Sequence, residues 1–179
     1  MAQFFPNAAA NLNKNGDFYN DLLYVSNRTG NKLEVTVGIE KQQRRLPSGE
    51  SHWEIALEDV FVRPPGFPSS GVPRVEPPSL TSPAVRGANI LSKVLSDMEA
   101  YARSRGLAGI AVTKIANPLV LASLLRRGFT SGSAVFDGEL QRLLAGKNLS
   151  TNRNWTPVFE RLQKVKGPDG NMVGLYKLL

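Results

Sequence analysis

Two stretches of this chain carry residue types spaced for chemistry. In VRGANILSKVLSDMEAYARSRGL, residues 85–107, a turn at Arg86-Gly87-Ala88-Asn89 runs straight into a helical pattern that opens with Ile90, Leu91 and Ser92. The first N–H groups of a helix have no partner inside it. A turn of small residues therefore brings an anion, phosphate above all, onto free main-chain donors at the positive end of the helix dipole. Arg86 or Lys93 would offset the charge. In HWEIALEDVFVRPP, residues 52–65, Glu54 and Glu58 stand four apart in a strand pattern. A carboxylate there can remove a proton from a substrate directly or through water. Taken singly, each also reads as a solvent-facing residue of a half-exposed strand, and His52 reads as a rim residue.

Composition removes several other chemistries. The chain has no cysteine and a single histidine, which excludes disulfides, thiolate nucleophiles and thiolate metal sites and leaves little for a zinc centre or a triad. No metal is expected. Apolar residues make up 41% and charged residues 21%, the balance of a folded domain, and 179 residues suit one core. The expected organisation is a single domain over 1–179, with 1–16 a flexible arm. No apolar run approaches the roughly 18 residues of a membrane span, and the first residues lack a basic or apolar leader region, so the expectation is a cytoplasmic protein without a membrane partner. A net charge of +7 is diffuse. KQQRR, 41–45, lacks interleaved aromatics and reads as a solvated loop at a turn, which makes nucleic acid an unfavoured partner.

The elements that must position these residues follow from periodicity. DFYNDLLYVSN reads as a helix turn or a strand. KLEVTVGIE places Leu33, Val35, Val37 and Ile39 on one face, the period-2 pattern of a half-buried strand, and Pro47-Ser48-Gly49 closes a hairpin. The next strand alternates Trp53, Ile55 and Leu57, then changes phase to Val60 and Val62, which requires an inserted residue, a β-bulge at Glu58-Asp59. Residues 64–83 hold seven prolines and read as a long surface loop, either a lid over a site or plain disorder. From Ile90 the apolar positions keep helical spacing until Gly106. LAGIAV reads as a strand covered on both faces. Asn117-Pro118 supplies an N-cap and a proline at N1 for a helix that Gly128 ends. SAVF then reads as a short strand, Asp137 as the cap of a helix through Leu144, Pro157 as the start of another helix, and NMVGLYKLL as a final strand. The fold class is α/β with a mixed, mostly antiparallel sheet, in which the strands at 53–62 and 107–113 run parallel and splay apart beyond the bulge.

The run VFVRPP…VRGANILSKVLSDMEAYARSRGL…IAVTKIANPLVLASLLRRGF resembles the core of the GNAT superfamily of acetyl-CoA-dependent N-acyltransferases. Val62-Arg63-Pro64, the turn from Arg86 to Leu91, Gly106, Asn117 and Gly128-Phe129 stand in the family's order over about half the chain. The resemblance implies a GNAT-like fold carrying a Pro-rich insertion, with acetyl-CoA as cosubstrate and an amine as acyl acceptor. It assigns the cosubstrate to Val60, Phe61, Val62, Arg86, Gly87, Ala88, Asn89, Ile90, Leu91, Ser92 and Asn117, an oxyanion-binding main-chain N–H to the strand near Val60–Val62, and the general base to Glu58 before Glu54. Asn89 and Leu91 occupy the family's two glycine positions. Leu124 occupies the position of its tyrosine acid, leaving Ser123 and Tyr176 as substitute hydroxyls. A homodimer stays open. So does a second function, a GNAT-like binding or structural protein without catalysis, such as a phage or effector component.

Overall fold

The computed structural model describes residues 17–25, 32–63 and 90–179. The arm at 1–16, the loop at 64–83 and the turn Arg86-Gly87-Ala88-Asn89 lie outside them. Five strands, β1 (Asp17–Val25), β2 (Lys32–Arg45), β3 (Ser51–Arg63), β4 (Gly109–Val112) and β5 (Leu175–Leu178), form one open sheet in the order β1-β2-β3-β4-β5. Four helices are described, α1 (Ile90–Ser104), α2 (Pro118–Arg126), α3 (Ala134–Leu144) and α4 (Asn152–Leu162). The molecule is α+β with a mixed sheet. β3 and β4 run parallel, joined across α1, whereas the other neighbouring pairs are antiparallel.

The β2–β3 hairpin sets the register of everything beside it. Its turn closes through Leu46 N to Glu50 O at 2.7 Å and Gly49 N to Leu46 O at 2.9 Å, with Gly49 at φ 90, a conformation glycine adopts without a Cβ clash. Counting outward pairs Arg44 with His52, Gln42 with Glu54 and Ile39 with Leu57. The next pair is Gly38 with Asp59, so Glu58 has no partner on β2. This is the bulge that the phase change required.

One face of the sheet buries the helices. Ile55, Leu57, Ile110 and Val112 cluster with Val94, Leu95 and Met98 of α1 and with Leu121 and Leu124 of α2, all within 6% of full burial. Each such side chain taken from water contributes about 1.5–3 kcal/mol. Burial also raises the pKa of Tyr101 above its ordinary value, with Arg105 opposing the rise. The opposite face carries a smaller cluster of Ala56, Ala111 and Tyr176. All four residues of β4 are buried, the doubly covered strand expected of LAGIAV.

Helix ends follow their caps. Asn117 Oδ1 accepts from Leu119 N at 2.9 Å and Val120 N at 3.4 Å, and Pro118 takes the first turn. Gly106 at φ 66 and Gly128 at φ 80 terminate α1 and α2 in the left-handed region. Of the two readings of DFYNDLLYV, the strand is the one observed. Three expectations need correction. Lys41–Arg45 belongs to β2 rather than to a loop. Its alternation is polar on both faces, with Lys41 4.9 Å from the Trp53 ring centre and Gln42 and Arg44 turned to Glu54. SAVF is not a strand, because the Ser133 hydroxyl accepts from Phe136 N and starts α3 there, with Asp137 inside its first turn. Finally, α4 begins at Asn152, well before Pro157, held by buried Val158 and Leu162 and by Trp155 stacked 4.7 Å from Phe159. No helix among the described residues is long and apolar enough to cross a membrane.

Candidate functional site

The parallel ladder of β3 and β4 covers Glu54–Leu57 against Gly109–Val112 and closes with Thr113 N donating to Leu57 O at 3.0 Å. Beyond Leu57 the ladder stops, because β4 ends at Val112. β3 continues from the bulge to Arg63 and, among the described residues, pairs there with β2 alone. Alternate main-chain groups along this stretch, which contains Val60, Phe61 and Val62, therefore face away from β2, on the side where β4 has ended. Such donors serve an amide-bearing ligand or a developing oxyanion without depending on side-chain identity.

Glu58 follows the last ladder residue of β3. Its side chain keeps 25% of its surface exposed, and its carboxylate lies 3.6 Å from Lys114 Nζ. Lys114 sits at φ 52, a left-handed conformation that costs a non-glycine residue about 1–2 kcal/mol. Both line a cleft of about 570 Å³ that also receives Arg44, Arg45, Lys166, Asp169 and Asn171. Burial would push the Asp169 carboxyl up. The Asn171 main-chain and side-chain N–H groups and the nearby Arg44 outweigh that, and its pKa lies below the ordinary value. Asp169 is therefore an anion through the neutral range.

Glu54 has a different place from the one its alternation predicts. It is completely buried instead of solvent-facing, and its oxygens are taken: Oε1 accepts from Gln42 Nε2 at 2.7 Å and Arg44 Nε at 2.8 Å, and Oε2 lies 3.1 Å from His52 Nε2. A carboxylate without water needs this many partners. His52 is no rim residue either, with 10% of its side chain exposed and a buried Nδ1 that has no partner among the described residues. Gly109 makes room for both, since a Cβ there would come within 3.2 Å of His52 Nε2 and 3.5 Å of Glu54 Oε2. Sequence reasoning missed this network. Its signal was the hairpin register, which sets Gln42 against Glu54 and Arg44 against His52.

The remaining candidates distribute as follows. Arg86, Gly87, Ala88 and Asn89 lie outside the described residues. Ile90 opens α1 and is buried in the core, and Leu91 is partly buried and packs against the same cluster, as the apolar stripe predicts. The Ser92 hydroxyl accepts from Arg127 Nη2. No acidic residue stands in the first turn of α1, so no carboxylate there competes with an anion. Asn117 is occupied as the α2 cap. Leu124 is wholly buried in the core. Of the substitute hydroxyls, Ser123 Oγ accepts from Arg127 Nε at 3.4 Å, and Tyr176 lies under Arg44, its ring centre 4.3 Å from the guanidinium carbon. Among the described residues no group of three or more His, Asp or Glu side chains could hold a metal ion.

Comparison with protein-family models, with curated proteins and with solved structures finds no match to this chain.

Proposed function

We propose that the chain is a GNAT-like N-acetyltransferase that moves an acetyl group from acetyl-CoA to an amine. The observation that carries the reading is the parallel β3–β4 ladder that ends at Leu57–Val112 while β3 runs on to Arg63, with the bulged Glu58 next to its end. Acetyl-CoA supplies the activated acetyl thioester. The residues fit it in three respects: among the described residues the β3 main chain beyond Leu57 pairs with β2 alone, Leu91 packs toward the core, and the first turn of α1 carries no opposing carboxylate.

In this reading Glu58 accepts the proton that the acceptor ammonium must lose before its nitrogen can attack, a role worth about 10²–10⁴ in rate. Lys114 Nζ lies 3.6 Å from the Glu58 carboxylate. A main-chain N–H of β3 near Val60–Val62 stabilises the tetrahedral oxyanion. Isothermal titration with acetyl-CoA tests the reading. Micromolar binding supports it, and no heat at millimolar ligand ends it. Turnover is then read with a thiol reagent that detects released CoA, against no background from the protein, which has no cysteine.

A second reading, a GNAT-like binding or structural protein without catalysis, is favoured by Leu124. The side chain at the family's acid position is apolar and wholly buried, so it neither donates a proton nor reaches the cleft.

A further inference from the structure

On the sheet face opposite α1, Arg44 is fixed on two sides and open on a third. Its Nε donates to the wholly buried Glu54 at 2.8 Å, and its guanidinium carbon lies 4.3 Å from the centre of the Tyr176 ring. The side chain nevertheless keeps 23% of its surface and lines the cleft. Among the described residues neither terminal Nη donates a hydrogen bond. A guanidinium placed this way has lost its rotamer freedom and kept the edge that carries two parallel N–H groups.

We infer that Arg44 is a preset carboxylate-binding site, with the buried Glu54 and the Tyr176 ring holding its outer Nη edge, which no described residue engages, toward the cleft. The inference goes beyond acyl transfer and does not depend on it. Two parallel donors at the end of a planar fork match a planar carboxylate in bidentate fashion, whereas a tetrahedral oxyanion offers no matching plane. Arg45 and Lys166, also lining the cleft, add to the attraction for an anion. Asp169 opposes it. That carboxylate lies close enough to feel Arg44, but Oδ1 is held by Asn171 N at 3.0 Å and Oδ2 by Asn171 Nδ2 at 3.1 Å, and among the described residues no ion pair joins it to Arg44. The loop therefore places a competing charge beside the fork without filling it.

The test uses sodium succinate as the probe, with ionic strength held constant by sodium chloride. Binding is read from the Arg44 Nε–H signal in ¹H–¹⁵N spectra, which the bond to Glu54 protects from exchange. A saturable shift is expected, weaker by about tenfold or more in Arg44→Lys, which keeps the charge and loses the fork. Asp169→Asn should tighten succinate by about threefold, the scale of one solvent-screened charge. Should Arg44→Lys fail to fold, Asp169→Asn still decides, because the Asp169 side chain bonds to Asn171 and, among the described residues, to neither Glu54 nor Tyr176. A shift no larger than chloride produces, sulfate binding as tight as succinate, or an unchanged affinity in Asp169→Asn would each overturn the proposal.

Discussion

Arg44 Nε lies 2.8 Å from Glu54 Oε1, yet the two partners differ in their access to water: Glu54 has none, and Arg44 keeps 23% of its side-chain surface. The cost of breaking the pair must therefore depend on which side is removed. Arg44→Met leaves a buried carboxylate with its strongest donor gone, a loss of about 3–5 kcal/mol. Glu54→Leu leaves an arginine that can turn outward, together with the unmet donors of Gln42 and His52, for about 1–3 kcal/mol. Urea denaturation of both variants measures the difference. Equal costs would mean that the pair is solvated and that Glu54 does not anchor Arg44.

Glu58 is expected to separate activity from stability. The residue is bulged out of the β2 register, partly exposed and paired only loosely with Lys114. Glu58→Gln should shift the unfolding midpoint by no more than about 0.5 kcal/mol and lower the rate of CoA release by about 10²-fold or more at saturating amine. An unchanged rate would remove Glu58 as the base while leaving the strand geometry intact.

The contrast between these two carboxylates shows where the sequence was legible. The bulge could be read because it shifts the phase of Val60 and Val62 against Ile55 and Leu57, and a period-2 face cannot change side without an extra residue. The caps at Asn117, Gly106 and Gly128 were legible because each rests on local chemistry. Glu54 was not. Alternation assigns polar residues to water, and that assumption fails where a second strand brings Gln42 and Arg44 across from them. SAVF failed for a related reason: four residues of alternation carry less information than one hydroxyl, Ser133, that caps a helix. Pro157 misled because the missing N–H of one residue is outweighed by Val158 and Leu162 in the core and by Trp155 stacked on Phe159.

Asp169 supplies a pH test near the cleft. Its carboxyl is held below the ordinary value of 3.8, with burial opposed by the Asn171 N–H groups and by Arg44. A carboxyl depressed on folding stabilises the fold above its unfolded pKa, and that contribution is lost as pH falls through the folded pKa. The window therefore lies below 3.8. A carbon-detected NMR titration should place the Asp169 midpoint under that value, and Asn171→Ala should move it upward. A midpoint that does not respond to Asn171→Ala would mean that the loop is not held by these bonds.

Leu91 and Leu124 stand where the family resemblance places a glycine and a tyrosine, and restoring the family residues is the sharpest trial of how this chain differs. Leu91 is partly buried against the core cluster, and Leu124 is wholly buried within it. Leu91→Gly removes packing and adds backbone freedom inside α1, for a combined cost of about 2–3 kcal/mol. Because the side chain packs toward the core, its removal should leave acetyl-CoA affinity within about twofold, far less than one hydrogen bond is worth. Leu124→Tyr inserts a ring and a hydroxyl into a closed core, a destabilisation of about 1–3 kcal/mol, and should yield no gain in turnover, since the new hydroxyl would have no path to the cleft. Thermal unfolding and acetyl-CoA titration on both variants check this. If Leu91→Gly creates binding where the parent has none, Leu91 blocks the cofactor turn and the chain is a fold that has lost its cosubstrate. If Leu124→Tyr raises turnover, α2 lies closer to the opening than its burial implies, and the acid position is vacant rather than closed.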